Sequence, residues 1–125
     1  MASENIYQGF VIPVTGPCYT VDIHNDDSLR ELQELVGGYI EAVPVPDFIP
    51  DAMNGTCYVN EDGIAQGLEP NMRATDFMVP GVGLMWGDYI KGNMVLFGYD
   101  PMTGENADVP ESMIARARLI EQEAG

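Results

Sequence analysis

The segment Asn71-Met72-Arg73-Ala74-Thr75 holds the side chains best suited to ligand chemistry in this chain. It reads as the start of a short helix behind Pro70, where free backbone amides favour an anion. Arg73 can fork onto a carboxylate or a phosphate, and Asn71 and Thr75 add hydrogen-bonding groups. Tyr58, Trp86 and Tyr89 offer stacking faces for a flat ligand. Glu41 joins this candidate set on the condition that it sits buried in a cleft. The competing reading pairs Arg73 with Glu69 or Asp76 and places the aromatic rings in the core.

Other constellations point less clearly to chemistry. Gly81-Val82-Gly83-Leu84-Met85-Trp86-Gly87 is rich in glycine, but it has neither the spacing of a phosphate loop or dinucleotide fingerprint nor a following lysine, so it reads as turns. Asp22, His24, Asp26 and Asp27 could gather a cation, but a polar loop leading into a helix accounts for them better. Asp100, Glu105 and Asp108 lack the spacing of a calcium loop. Cys18 and Cys57 stand 39 residues apart, with one histidine in the chain and no CxxC motif. That argues against zinc and gives no local signature of a nucleophile, so reduced, partly buried thiols are expected. No catalytic set, metal or cofactor is assigned, and a non-enzymatic protein is expected.

Charge narrows the partners. Twenty acids oppose five bases, Arg30, Arg73, Lys91, Arg116 and Arg118, for a formal net charge of −15. Such a field repels nucleic acid and anionic membranes and favours solubility or a basic partner. Apolar residues make up 46% of the chain, enough for a packed core at 125 residues. No apolar run is long enough to span a membrane, and the first residues lack a signal-peptide pattern, so the cytoplasm is the expected compartment.

The elements that must position these residues follow from patterning. Phe10–Val14 and Cys18–Ile23 read as a hairpin around Thr15-Gly16-Pro17. Residues 1–9 are expected to be mobile or loosely paired. Ser28 and Glu31 fit a capping box, and Leu29, Leu32, Leu35 and Val36 form one apolar stripe. Gly37 is placed to end that helix in a left-handed conformation, with a strand over 39–45. Phe48, Ile49 and Met53 should fold onto the body. Thr56–Asn60 is a strand closed by the turn Asn60-Glu61-Asp62-Gly63, with Gly63 suited to positive φ and Ile64-Ala65-Gln66 returning as a strand. A short helix follows over 70–78, with Met72, Phe77 and Met78 as packing residues. Met94–Tyr99 is nearly all apolar and reads as the central strand. Residues 100–107 read as a flexible polar loop. A last helix over 110–123 buries Met113, Ile114, Ala117 and Ile120, with Arg116 projecting elsewhere.

The stretch Leu32-Gln33-Glu34-Leu35-Val36-Gly37-Gly38-Tyr39-Ile40-Glu41 resembles the signature of a small domain family of unknown function, common in phages and actinobacterial genomes. Further stretches of that resemblance follow in order: Tyr58-Val59-Asn60-Glu61-Asp62-Gly63, then Gly67-Leu68 with Pro70-Asn71 and Ala74-Thr75, then Gly87-Asp88-Tyr89-Ile90-Lys91-Gly92-Asn93-Met94-Val95. It covers roughly residues 19–99; the segment from Pro80 to Trp86 and the last helix are less typical. The resemblance brings no settled activity, but it implies a phage or mobile-element setting.

The expected architecture is a single α+β domain over 1–125, an antiparallel or mixed sheet of about five strands with two main helices packed on it. Its expected core is Leu29, Leu32, Leu35, Val36, Ile40, Val43, Val59, Val95, Phe97, Ile114 and Ile120. The expected function is a phage-type counter-defence protein that sequesters a small nucleotide-like signal, as a homo-oligomer. The alternative is an acidic DNA-mimic decoy bound to a basic host protein.

Overall fold

The computed structural model describes residues 6–43, 45, 49, 51–63, 65–78 and 89–124. Six strands form one antiparallel sheet. β1 (Ile6–Ile12) and β2 (Tyr19–His24) make the hairpin, with Phe10 opposite Thr20 and Val11 opposite Tyr19. β3 (Ile40–Val43) pairs with β4 (Gly55–Asn60), and β5 (Met94–Asp100) turns back into β6 (Glu105–Ala107). The order β2-β1-β5-β4-β3 puts β5 in the middle, with β6 also paired to it. The near-continuous apolar run of β5 has this cause: Met94 and Leu96 face one core, while Val95 and Phe97 face another.

Those two cores make three layers. Helix α1 (Ser28–Val36) covers one sheet face, packing Leu32 and Val36 on Tyr7, Val11, Val95 and Phe97. Helices α2 (Met72–Met78) and α3 (Glu111–Ala124) cover the other. There Ala74, Phe77, Met113 and Ala117 meet Phe10, Ile12, Cys57 and Leu96. The result is an α+β fold.

Local chemistry explains the element ends. Gly37 takes φ 81° and donates its N–H to Gln33 O at 2.8 Å, the left-handed stop expected for it. The capping box does not form: no side chain caps α1, and Glu31 reaches back past Ser28 to His24. It accepts from the His24 backbone N–H at 2.8 Å and lies 2.9 Å from Nδ1. A short 3-10 turn, Asn25–Asp27, sits between them and moves the first free amide upstream.

Several expectations are corrected. Residues 6–9 are paired strand, not loose chain. Residues 105–107 are β6 rather than loop, because Gly104 at φ 77° lets the chain reverse onto β5. Ala65 and Gln66 lie in a turn, not a returning strand, and Ile64 lies outside the described residues. Pro70 bridges to Lys91 and does not open the helix. Leu29 at 57%, Met72 at 50% and Met53 at 80% exposure do not join the core, whereas Ile49 does. Leu29 precedes the stripe that faces the sheet, so solvent takes it. Phe48 lies outside the described residues.

Gly9 is needed for close approach. A β-carbon there would collide with the Phe97 ring, which lies across β1 and packs edge-on to Tyr7 at 5.2 Å. Gly9→Ala is expected to lower stability by about 1–3 kcal/mol through overpacking. A urea denaturation midpoint unchanged from wild type would show that Phe97 has room to move.

Candidate functional site

The β3 edge of the sheet leaves a concavity on the α2/α3 side. Glu41 lies opposite Val59 and Val43 opposite Cys57, so the odd-numbered residues of β3 face that side with Val59. Here β3, the β4 turn and residues 89–91 enclose a cavity of about 450 Å³. Val43, Val59 and Ile90 give it apolar walls, and Glu41, Glu61 and Asp62 supply carboxylates. Tyr89, 42% exposed, also lines it, as does Lys91. Lys91 is the one base among the described lining residues.

The turn at the end of β4 is built by Asn60. Its Oδ1 accepts the Asp62 N–H at 2.7 Å, and its Nδ2 donates to Val36 O and to Gln66. Glu61 and Asp62 are thereby held outward on a fixed loop. Gly63 keeps an ordinary φ rather than the positive one expected; its close neighbour is instead Lys91, which a β-carbon would touch at 2.9 Å.

Residues 89–93 are fastened from below. Asn71 is fully buried, and its N–H donates to Ile90 O at 2.7 Å. Its Nδ2 donates to Ile12 O at 2.8 Å and Gly92 O at 2.9 Å, while Oδ1 caps α2 by accepting the Ala74 N–H. The Thr75 hydroxyl donates to Asn71 O and accepts the Ile90 N–H at 2.9 Å. Asn71 and Thr75 therefore have their polar atoms bonded inside the protein, and they position Tyr89 and Lys91.

Arg73 lies elsewhere. One Nη donates to Pro13 O and Gly16 O, each at 2.7 Å, and the other is 3.5 Å from Glu121. The expected partners Glu69 and Asp76 are replaced by a residue of α3, because α2 and α3 pack together. The helix start offers no anion site: α2 has seven residues, and Asn71 takes its Ala74 amide. Tyr58 lies on the opposite sheet face against Phe97, with ring centres 5.8 Å apart. Trp86 and the glycine-rich segment 81–87 lie outside the described residues. Of the sequence candidates, Glu41 and Tyr89 both line the cavity, Glu41 exposed at its rim rather than buried as its candidacy required. Glu61, Asp62 and Lys91 complete it; patterning marked the acids as turn residues and gave no sign that Lys91 crosses over to them.

The arginines are used within the fold. Arg30 bonds to Asp27 and Glu34 across one turn of α1. Arg116 does not project away: it donates to Phe77 O and stacks over the Phe77 ring at 5.2 Å. Arg118 donates to Cys18 O and lies over Phe10. Glu121 accepts the Cys18 N–H at 2.6 Å, and this backbone bond, helped by Arg118, holds its carboxyl below the usual range. The His24 N–H does the same for Glu31. Both thiols are free and buried, and burial pushes Cys57 up to about 12. Among the described residues no three metal-binding side chains gather, and no helix is long and apolar enough to cross a membrane.

The chain belongs to a domain family of unknown function, DUF3846, whose sequence profile matches residues 7–122. No curated protein and no solved structure matches it.

Asn71→Ala would orphan two buried carbonyls and remove the α2 cap, an expected loss of about 2–4 kcal/mol, read from urea unfolding. Glu31 and Glu121 have folded pKa values below the unfolded one. Their stabilisation is complete above the ordinary carboxylate range and is lost as pH falls through the depressed values. Unfolding midpoints measured on the acid limb should therefore fall less steeply in Glu121→Gln than in wild type.

Proposed function

We propose that this protein is a non-enzymatic binder of a basic partner, with the cavity beside β3 as its recognition site. One observation carries the reading. Three carboxylates ring a site with apolar walls while each arginine already has an internal acceptor. A lysine or arginine side chain suits such a place, with its stem on Val43, Val59 and Ile90 and its head among Glu41, Glu61 and Asp62. Three of the stretches behind the phage-type resemblance meet here, which supports a host protein as the partner.

The acids are spread over both helical layers, from Glu34 on α1 to Glu111 and Glu123 on α3. A local site fits this distribution better than a row of carboxylates copying a duplex. The positions of candidate nucleophiles support binding over catalysis. Cys57 is in the core, and His24 pairs with Glu31.

A second reading rests on Tyr89 and Lys91 lining the same cavity. A small nucleotide-like signal could stack its base on Tyr89 and set one phosphate on Lys91. Sequestration of such a signal would serve counter-defence equally well. The net charge of −15 opposes ligands with several phosphates.

Calorimetric titration separates the two. A short lysine- and arginine-rich peptide should bind, more weakly as salt rises, and Glu61→Lys with Asp62→Lys should weaken it about tenfold, or ~1.4 kcal/mol. Cyclic and ADP-ribose nucleotides should give no heat. Nucleotide binding that Lys91→Ala abolishes would favour the second reading, and peptide binding indifferent to the paired substitution would defeat the first.

A further inference from the structure

β3 is the last strand of the sheet, and its outer edge is unpaired among the described residues. The Glu61 N–H donates to Tyr39 O at 2.8 Å, so Tyr39 directs its backbone groups toward β4. In an antiparallel ladder this alternates, so residues 41 and 43 also turn inward and Ile40 and Ala42 turn outward. The free edge thus presents the N–H and C=O of Ile40 and of Ala42. Glu41 and Val43, between and beyond them, direct their side chains to the carboxylate cavity.

We propose that the basic partner binds as an extended strand added to the outer edge of β3, with alternate lysine or arginine side chains entering the cavity. This rests on the reading of the cavity as a basic-partner site and specifies how the backbone of that partner is held. Strand addition supplies main-chain hydrogen bonds, while alternate side chains supply choice. The residue set opposite Glu41 falls on the cavity side, where an opposite charge stabilises a cross-strand pair. Glu61 and Asp62 line the same space and can share that charge.

Glu41 also selects against the obvious competitor. Two copies of this chain pairing through β3 would bring their Glu41 carboxylates together at the centre of a four-residue edge, in molecules of charge −15 each. Like charges on an edge strand are a known guard against self-association. The edge is therefore closed to its own copy and open to a basic strand.

The test uses capped peptides of alternating lysine and valine, followed by fluorescence anisotropy. Two versions carry backbone N-methyl groups on one or the other alternation. The unmethylated peptide should bind; one methylated version should lose at least about tenfold and the other should keep its affinity, since only one alternation faces β3. Hydrogen exchange should slow at the Ile40 and Ala42 amides on binding. Glu41→Lys, an exposed change, should weaken binding of the lysine–valine peptide at least about tenfold. Equal binding by both methylated versions, or protection absent from Ile40 and Ala42, would overturn strand addition while leaving charge recognition intact. Failure of every basic peptide to bind would overturn both.

Discussion

A buried side-chain amide must have its hydrogen bonds met, and in this fold that requirement falls on Asn71. It lies at zero exposure and ties together the end of β1, the chain leading into β5, the start of α2 and the segment around Ile90. Removing any partner would leave a polar atom without solvent or protein to satisfy it. The geometry of α2 and that of the cavity wall are thus set by the same residue. Thr75 extends the arrangement by one turn, so the wall carrying Tyr89 and Lys91 stands on a dry hydrogen-bonded base rather than on a free loop.

Charge is divided by location. Arg73, Arg116 and Arg118 tie the hairpin turn, α2 and α3 together around Pro13, Gly16, Cys18 and Phe77, whereas Arg30 pairs along the surface of α1. Most carboxylates are left facing water. With twenty acids against five bases, the exterior carries a strong excess of negative charge. Lys91 is the exception at the cavity, a base set among the three acids that line it.

The layers were legible from sequence because periodicity records burial. The β5 run, the stripe of α1 and the Gly37 stop each follow from local rules that tertiary contacts did not override. Roles set by distant partners were not legible. Arg73 looks like a surface ligand group until the hairpin turn and Glu121 arrive beside it, from 57 and 48 positions away. Asn71 reads as a loop polar residue because nothing local shows that Ile12 and Gly92 will need its amide. Glu41 and Tyr89 were identified, but their sharing one cavity depends on β3 bordering β4 and on the bridge at Pro70 and Lys91. Leu29 shows the opposite error, an apolar residue whose spacing fits the stripe but which lies ahead of the part that faces the sheet.

The placement of β1 between β2 and β5 also has a consequence for how the molecule is assembled. Phe10 finds Leu96 only 86 positions later, and Cys18 receives its partner from Glu121, 103 positions later. The hairpin of β1 and β2 can form early, but one side of it stays bare until the middle strand and the last helix exist. Such long closures slow the search for the native state. During synthesis the first third of the chain must wait with an open apolar flank, and the acidic composition that colours the finished surface would also keep those unfinished chains apart.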